Sequence, residues 1–268
     1  MRSALVLGLY FVVLKYIDAR PWQESGLSYS KKWLHECLAG IAIAFFVMSL
    51  IFLVEWLSGG LTITGFGWQR NGDIYWLLPI LAFLIQMLSV GFYEEVISRG
   101  FLLRNIAEGF TFGKTTPFLG TVIAIIISSS LFGLGHAGNP NATIFAVLNI
   151  FLAGIMLAIP FVITGRLALS IGLHFAWNFF QGGFFGFSIS GMVVRNSVIQ
   201  IHQEGPEWWT GGAFGPEGGL IGVLGIILIM ILIIIYLKVT GVPLEFATSF
   251  SNNFTENRRK LKPTDELA

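Results

Sequence analysis

The sequence predicts an all-α fold: a polytopic helical membrane bundle of about seven transmembrane helices, with a polar site buried between them. Three observations predict it. Hydrophobic residues make up 54% of the 268 and charged residues only 12%, about half the charged share of a soluble domain, and mean hydropathy is +0.75. Apolar runs recur along the whole chain, several near the ~20 residues that cross a bilayer. Those runs are interrupted by a few ionisable residues, at Glu94, Glu95, Arg99, His136 and His174. Ionisable groups in hydrocarbon-length segments are costly to insert, so they mark functional sites by default.

In chain order, the run Ala4 to Tyr16 is a short first span, with a membrane-surface helix as the alternative. A signal peptide is disfavoured because Ile17-Asp18-Ala19-Arg20-Pro21 offers no small-x-small cleavage site. The second span runs from Trp33 to Leu57, anchored at its ends by Trp33 and Trp56, with Glu55 at head-group level. A glycine-rich loop, 58–74, leads to a third span that starts at Tyr75 and continues as helix to about Glu108. The fourth span is Phe118 to His136 and the fifth Thr143 to Ile163, carrying Asn149 as a helix–helix hydrogen-bonding residue. The sixth is Leu167 to Phe180, and the aliphatic seventh, Leu220 to Leu237, is expected to face lipid.

These spans form one membrane domain, 1–268, with a motif core at 75–180, a long outer loop at 184–218 and a polar cytoplasmic tail at 243–268. Alternating spans place Arg20, Lys31, Lys32, Arg99, Arg104, Lys114, Arg166, Lys238 and the tail residues Arg258, Arg259, Lys260 and Lys262 on one side. Only Arg2, Arg70 and Arg195 fall on the other. Basic residues favour the cytoplasm, so the C-terminus is expected there, in a prokaryotic plasma membrane. A net charge of +1 gives no basic field for nucleic acid. The single cysteine, Cys37, excludes an intramolecular disulfide and a cysteine metal cluster. His35 and His202 read as interfacial residues.

The polar residues divide into roles. Glu95 and Arg99 are four apart on one helical face with the acid first, the favourable order for an ion pair. Glu94, rotated by about 100°, has Ser98 rather than a base four positions on, which suits a general base. His174 and Asn178 are also four apart, and an imidazole beside a carboxamide can supply two donors to an oxyanion.

Glu94-Glu95-x-x-x-Arg99, Phe132-x-x-x-His136 and His174-x-x-x-Asn178, in this order on three spans, resemble the CPBP family. These are the CAAX prenyl proteases and bacteriocin-processing enzymes, also called the Abi family, and the resemblance covers about residues 75 to 180. It implies intramembrane hydrolysis of a peptide bond in a membrane-associated protein or peptide. By that resemblance Glu94 and His136 activate water, His174 and Asn178 stabilise the oxyanion, and Glu95 and Arg99 support them. No cofactor is expected. The alternative is zinc on Glu94, His136 and His174, a two-His, one-Glu set, although the His-Glu-x-x-His spacing of zinc proteases is absent. Competing functions are a non-catalytic membrane partner, such as an immunity or anchoring protein, and a transporter. The expected inverted repeat of a transporter is not found in the sequence.

Overall fold

The computed structural model describes residues 2–17, 25–69, 74–111, 116–247 and 250. The expectations for Arg20, Arg70, Lys114 and the basic tail from Arg258 to Lys262 lie outside the described residues. The helices are α1 (Arg2–Val12), α2 (Lys31–Leu57), α3 (Leu77–Glu95), α4 (Arg104–Phe110), α5 (Pro117–Leu134), α6 (Ile144–Thr164), α7 (Ala168–Asn178), α8 (Glu207–Thr210) and α9 (Leu220–Val239). Strands β1 (Leu61–Phe66) and β2 (Ile199–Gln203) pair antiparallel. A π-helical segment, Val96–Leu103, joins α3 to α4, so Leu77–Phe110 is one 34-residue rod. At ~1.5 Å per residue that exceeds the ~30 Å hydrocarbon core.

Helix starts follow local chemistry. Ser30, Thr116 and Thr143 cap α2, α5 and α6, each hydroxyl accepting a backbone N–H three residues on. Such caps satisfy donors that the first helical turn leaves free. Helix α6 ends on Gly165 at φ 69°, a left-handed position that glycine adopts without steric cost.

Among the described residues, five helices are long and apolar enough to cross a membrane: Lys31–Leu57, Leu77–Phe110, Pro117–Leu134, Ile144–Thr164 and Leu220–Val239. The first and sixth expected spans are helical but shorter. Ala4–Tyr16 falls in the shorter apolar class. Its residue Tyr10 is 4% exposed and donates to the Ser25 and Gly100 carbonyls, which ties α1 to the rod. Helix α7 has 11 residues, all buried, and continues as a π-helical segment through Phe184.

Helix α7 is the centre of the bundle, and small residues set its distance from α2. A Cβ added at Gly40 would lie 2.6 Å from the Leu169 carbonyl oxygen. One added at Gly172 would overlap the Cys37 carbonyl oxygen. Without a hydrophobic drive between helices in lipid, such close backbone approach carries the packing. Gly172→Ala is therefore expected to lower the melting temperature in detergent, and an unchanged value would show that α2 and α7 can separate without loss.

Glu55, at the far end of α2, is fully buried, and Oε2 accepts from Gln203 Nε2 at 2.9 Å. Three expectations are corrected. The loop 58–74 contains β1, whose pairing with β2 covers that end of α2. Helix α9 is two-faced, with Ile226, Ile229 and Ile233 inside and Ile227, Ile231 and Ile235 outside. The first residues beyond Pro243 also dock on the bundle. Ala247 N donates to the Val162 carbonyl, and the buried Phe250 packs edge-on against Phe161. Apolar Phe246 and Phe250 explain this, because they continue a core rather than a solvated tail.

Candidate active site

Glu94 and Glu95 close α3, where the rod passes α7. The approach is tight because position 91 is glycine: a Cβ there would lie 2.8 Å from Phe175 N. This brings Glu95, one turn after Gly91 on α3, within reach of His174, the neighbour of Phe175 on α7. Glu95 Oε1 receives Arg99 Nη1 at 2.8 Å and His174 Nδ1 at 2.7 Å. Arg99 Nη2 donates to the Gly154 carbonyl on α6 at 3.0 Å. The pair is sealed, with side-chain exposures of 1% for Arg99 and 0% for Glu95. The predicted ion pair is present, and it also fixes an imidazole on a third helix.

That contact settles the orientation of the ring. A carboxylate accepts from the protonated nitrogen, so Nδ1 carries a proton and Nε2 is turned away from Glu95. Nε2 lies 3.8 Å from Glu94 Oε2. His174 thus stands between the two adjacent carboxylates. Sequence reasoning paired it with Asn178 and overlooked the link to Glu95, because the spacing rule reads only along one helix. The Glu94 side chain is 22% exposed, against 0% for Glu95.

His136 lies just past the end of α5, in the turn that leads to α6. Its Nδ1 is 2.8 Å from the Phe132 carbonyl oxygen. A carbonyl can only accept, so Nδ1 bears the proton and Nε2 keeps its lone pair. The Phe132 ring joins the motifs physically. Arg99 sits 4.5 Å from its centroid, His174 meets it edge-on at 5.9 Å and His136 lies at 5.0 Å.

Glu94, His136, His174 and Asn178 all line one cavity of about 580 Å³, walled by apolar residues that include Val90, Leu131 and Met156. Asn178 is 8% exposed, and its carboxamide makes no hydrogen bond among the described residues. The structure brings the four residues expected to act together onto one space, with Glu95 and Arg99 directly behind them. His35 and His202 are exposed and lie away from it.

Residues overlooked in the sequence complete the cavity. Glu217 accepts from Trp177 Nε1 at 3.1 Å, Ser190 N at 2.7 Å and Ser190 Oγ at 2.8 Å. Asn139 Nδ2 donates to the Ser190 carbonyl. Asn149 does not bridge two helices as expected: its Nδ2 donates to the Glu217 and Gly219 carbonyls at 2.9 and 3.1 Å, holding the segment that precedes α9. The only sequence signal for this group was the cluster of glycines and Pro216 around Glu217, which marks a turn but no partner.

Among the described residues, no three His, Cys, Asp or Glu side chains gather as a metal-holding group, Glu94, His136 and His174 included. His174 Nδ1 is committed to Glu95, which leaves only Nε2 for any ligand.

Residues 76–180 match the family model named Rce1-like, described as type II CAAX prenyl endopeptidase Rce1-like. The matched stretch contains all three motifs. No curated protein and no solved structure matches the chain. The motif-bearing segment 76–180 is thus similar to the CAAX prenyl endopeptidases, and it lies in an integral membrane chain of apolar, membrane-length helices.

Proposed function

We propose that the protein is an intramembrane endopeptidase that cuts a membrane-associated protein or peptide with water activated by Glu94 and His136. The observation that carries this reading is the single cavity shared by Glu94, His136, His174 and Asn178. Glu94 takes a proton from water as the oxygen bonds to the scissile carbonyl carbon. His136 Nε2, its lone pair free, accepts a hydrogen bond from the same water and orients it. The negative charge on the former carbonyl oxygen is met by Asn178 Nδ2 and by His174 when Nε2 is protonated. Glu94 then returns its proton to the leaving nitrogen as the C–N bond breaks, giving an amine and a carboxylic acid that keeps the second proton of the water.

We take the reaction to be metal-free, because Asn178 has a use as an oxyanion donor and none as a zinc ligand. Asn178→Ala is expected to lower turnover by about two orders of magnitude. KM should change little, because the carboxamide acts on charge that appears in the transition state. Chelators should leave the wild-type rate intact. Cleavage that stops with a chelator and returns with zinc would overturn the metal-free part. A peptide library in proteoliposomes supplies the assay, and substrate cut at the same rate by wild type and Asn178→Ala would remove the oxyanion role.

We also place the C-terminus on the cytoplasmic side of the membrane. Arg166, at the α6–α7 turn, and Lys238, at the end of α9, support this by the preference of basic residues for that side.

A further inference from the structure

We propose that Glu217 is a binding subsite for a cationic group of the substrate, a Lys or Arg side chain or a free amino group. The inference rests on the protease reading above and deepens it, since it concerns which peptide the cavity accepts.

Glu217 lines the same cavity as the four residues of the candidate active site. It reaches the cavity from the opposite part of the chain, in the segment Pro216–Gly218 just before α9. Its link to the site is direct: Trp177, whose indole donates to Oε1, is the residue before Asn178. Through Ser190 it is also joined to Asn139, three residues beyond His136. Glu217 therefore sits past the reacting groups, toward the end of the bundle where α5 stops.

Its three hydrogen-bond donors, Trp177 Nε1 and the backbone and hydroxyl of Ser190, are all neutral. Neutral donors orient a carboxylate without cancelling its charge. Among the described residues no Lys or Arg pairs with Glu217, and none lines the cavity. The cavity thus carries two carboxylates, Glu94 and Glu217, within a largely apolar wall where charges are poorly screened.

The position is rigid. Gly215 is at φ 92°, where an L side chain is strained, and the Glu217 backbone carbonyl is held by Asn149. Ser190 itself is held at φ 46° against Asn139. The carboxylate cannot swing into solvent without breaking this set. A fixed, partly desolvated anion beside a reaction centre selects a cation and disfavours a peptide that brings its own carboxylate.

The test compares labelled peptides of one sequence that differ at a scanned position as Lys, Gln or Glu, plus a pair with free and acetylated amino termini. Binding is read by fluorescence anisotropy on the full chain carrying Glu94→Gln, and cleavage on the wild type. At one position, or in the terminus pair, the cationic peptide should be favoured by about tenfold over its neutral counterpart in binding and in KM. The scan and the terminus pair distinguish a side chain from an amino group. Glu217→Gln should collapse that ratio, whereas Ser190→Ala and Glu217→Asp, which keep the charge, should retain it. Equal binding of the cationic, neutral and acidic peptides to protein with Glu217 intact overturns the subsite, as does a preference that survives Glu217→Gln. A binding preference with no cleavage of any peptide would uphold the subsite and remove the protease reading instead.

Discussion

Glu94→Gln is expected to abolish cleavage, with a loss of about three orders of magnitude, in the range of a lost general base. The amide keeps the shape of the side chain but cannot take a proton from water. Yield and melting temperature should stay near wild type, because the carboxylate is 22% exposed and, among the described residues, forms no ion pair shorter than the 3.8 Å approach to His174. The readout is cleavage of one identified peptide in proteoliposomes, with a thermal melt on the same preparation. Cleavage at the wild-type rate by the Gln variant would sink the general-base role.

Arg99→Ala should act in the opposite way, on stability first. The guanidinium joins α3's rod to α6 through the Gly154 carbonyl, pairs with Glu95 and lies on the Phe132 ring. Removing it leaves Glu95 buried without its cation, which costs about 3 to 5 kcal/mol in the usual case of a broken buried pair. A marked fall in melting temperature and yield is expected. Arg99→Lys should recover only part of it, since one ammonium cannot span the carboxylate and the carbonyl as the planar fork does. A melt that matches wild type for Arg99→Ala would show that Glu95 is held by His174 alone.

Much of the membrane bundle was legible because its signals are local. Hydropathy located the long helices to within a few residues, and the caps at Ser30, Thr116 and Thr143 are ordinary sequence marks. The Glu95–Arg99 pair was legible for the same reason, as one turn of one helix. What escaped is non-local. The ribbon joins Leu61 to Gln203 across most of the chain, although both segments alternate in strand fashion. His174 was assigned by its neighbour Asn178, while its hydrogen-bond partner comes from 79 positions away. Glu217 lay in a glycine-rich stretch with no periodicity, where a side chain's direction cannot be read. The docking of Phe250 was hidden behind the charged residues that follow it.

The Glu95–Arg99 pair also bears on biogenesis. Gly154 and His174, which complete its surroundings, are encoded 55 and 79 positions after the residues they meet. During synthesis α3 is made before either of them exists. A charge entering hydrocarbon alone is expensive, but an acid and a base one turn apart can neutralise each other as soon as the helix forms. The rod thus brings its own counterion into the bilayer. Later helices convert that provisional pair into a three-helix junction, so assembly order is written into the spacing of two residues.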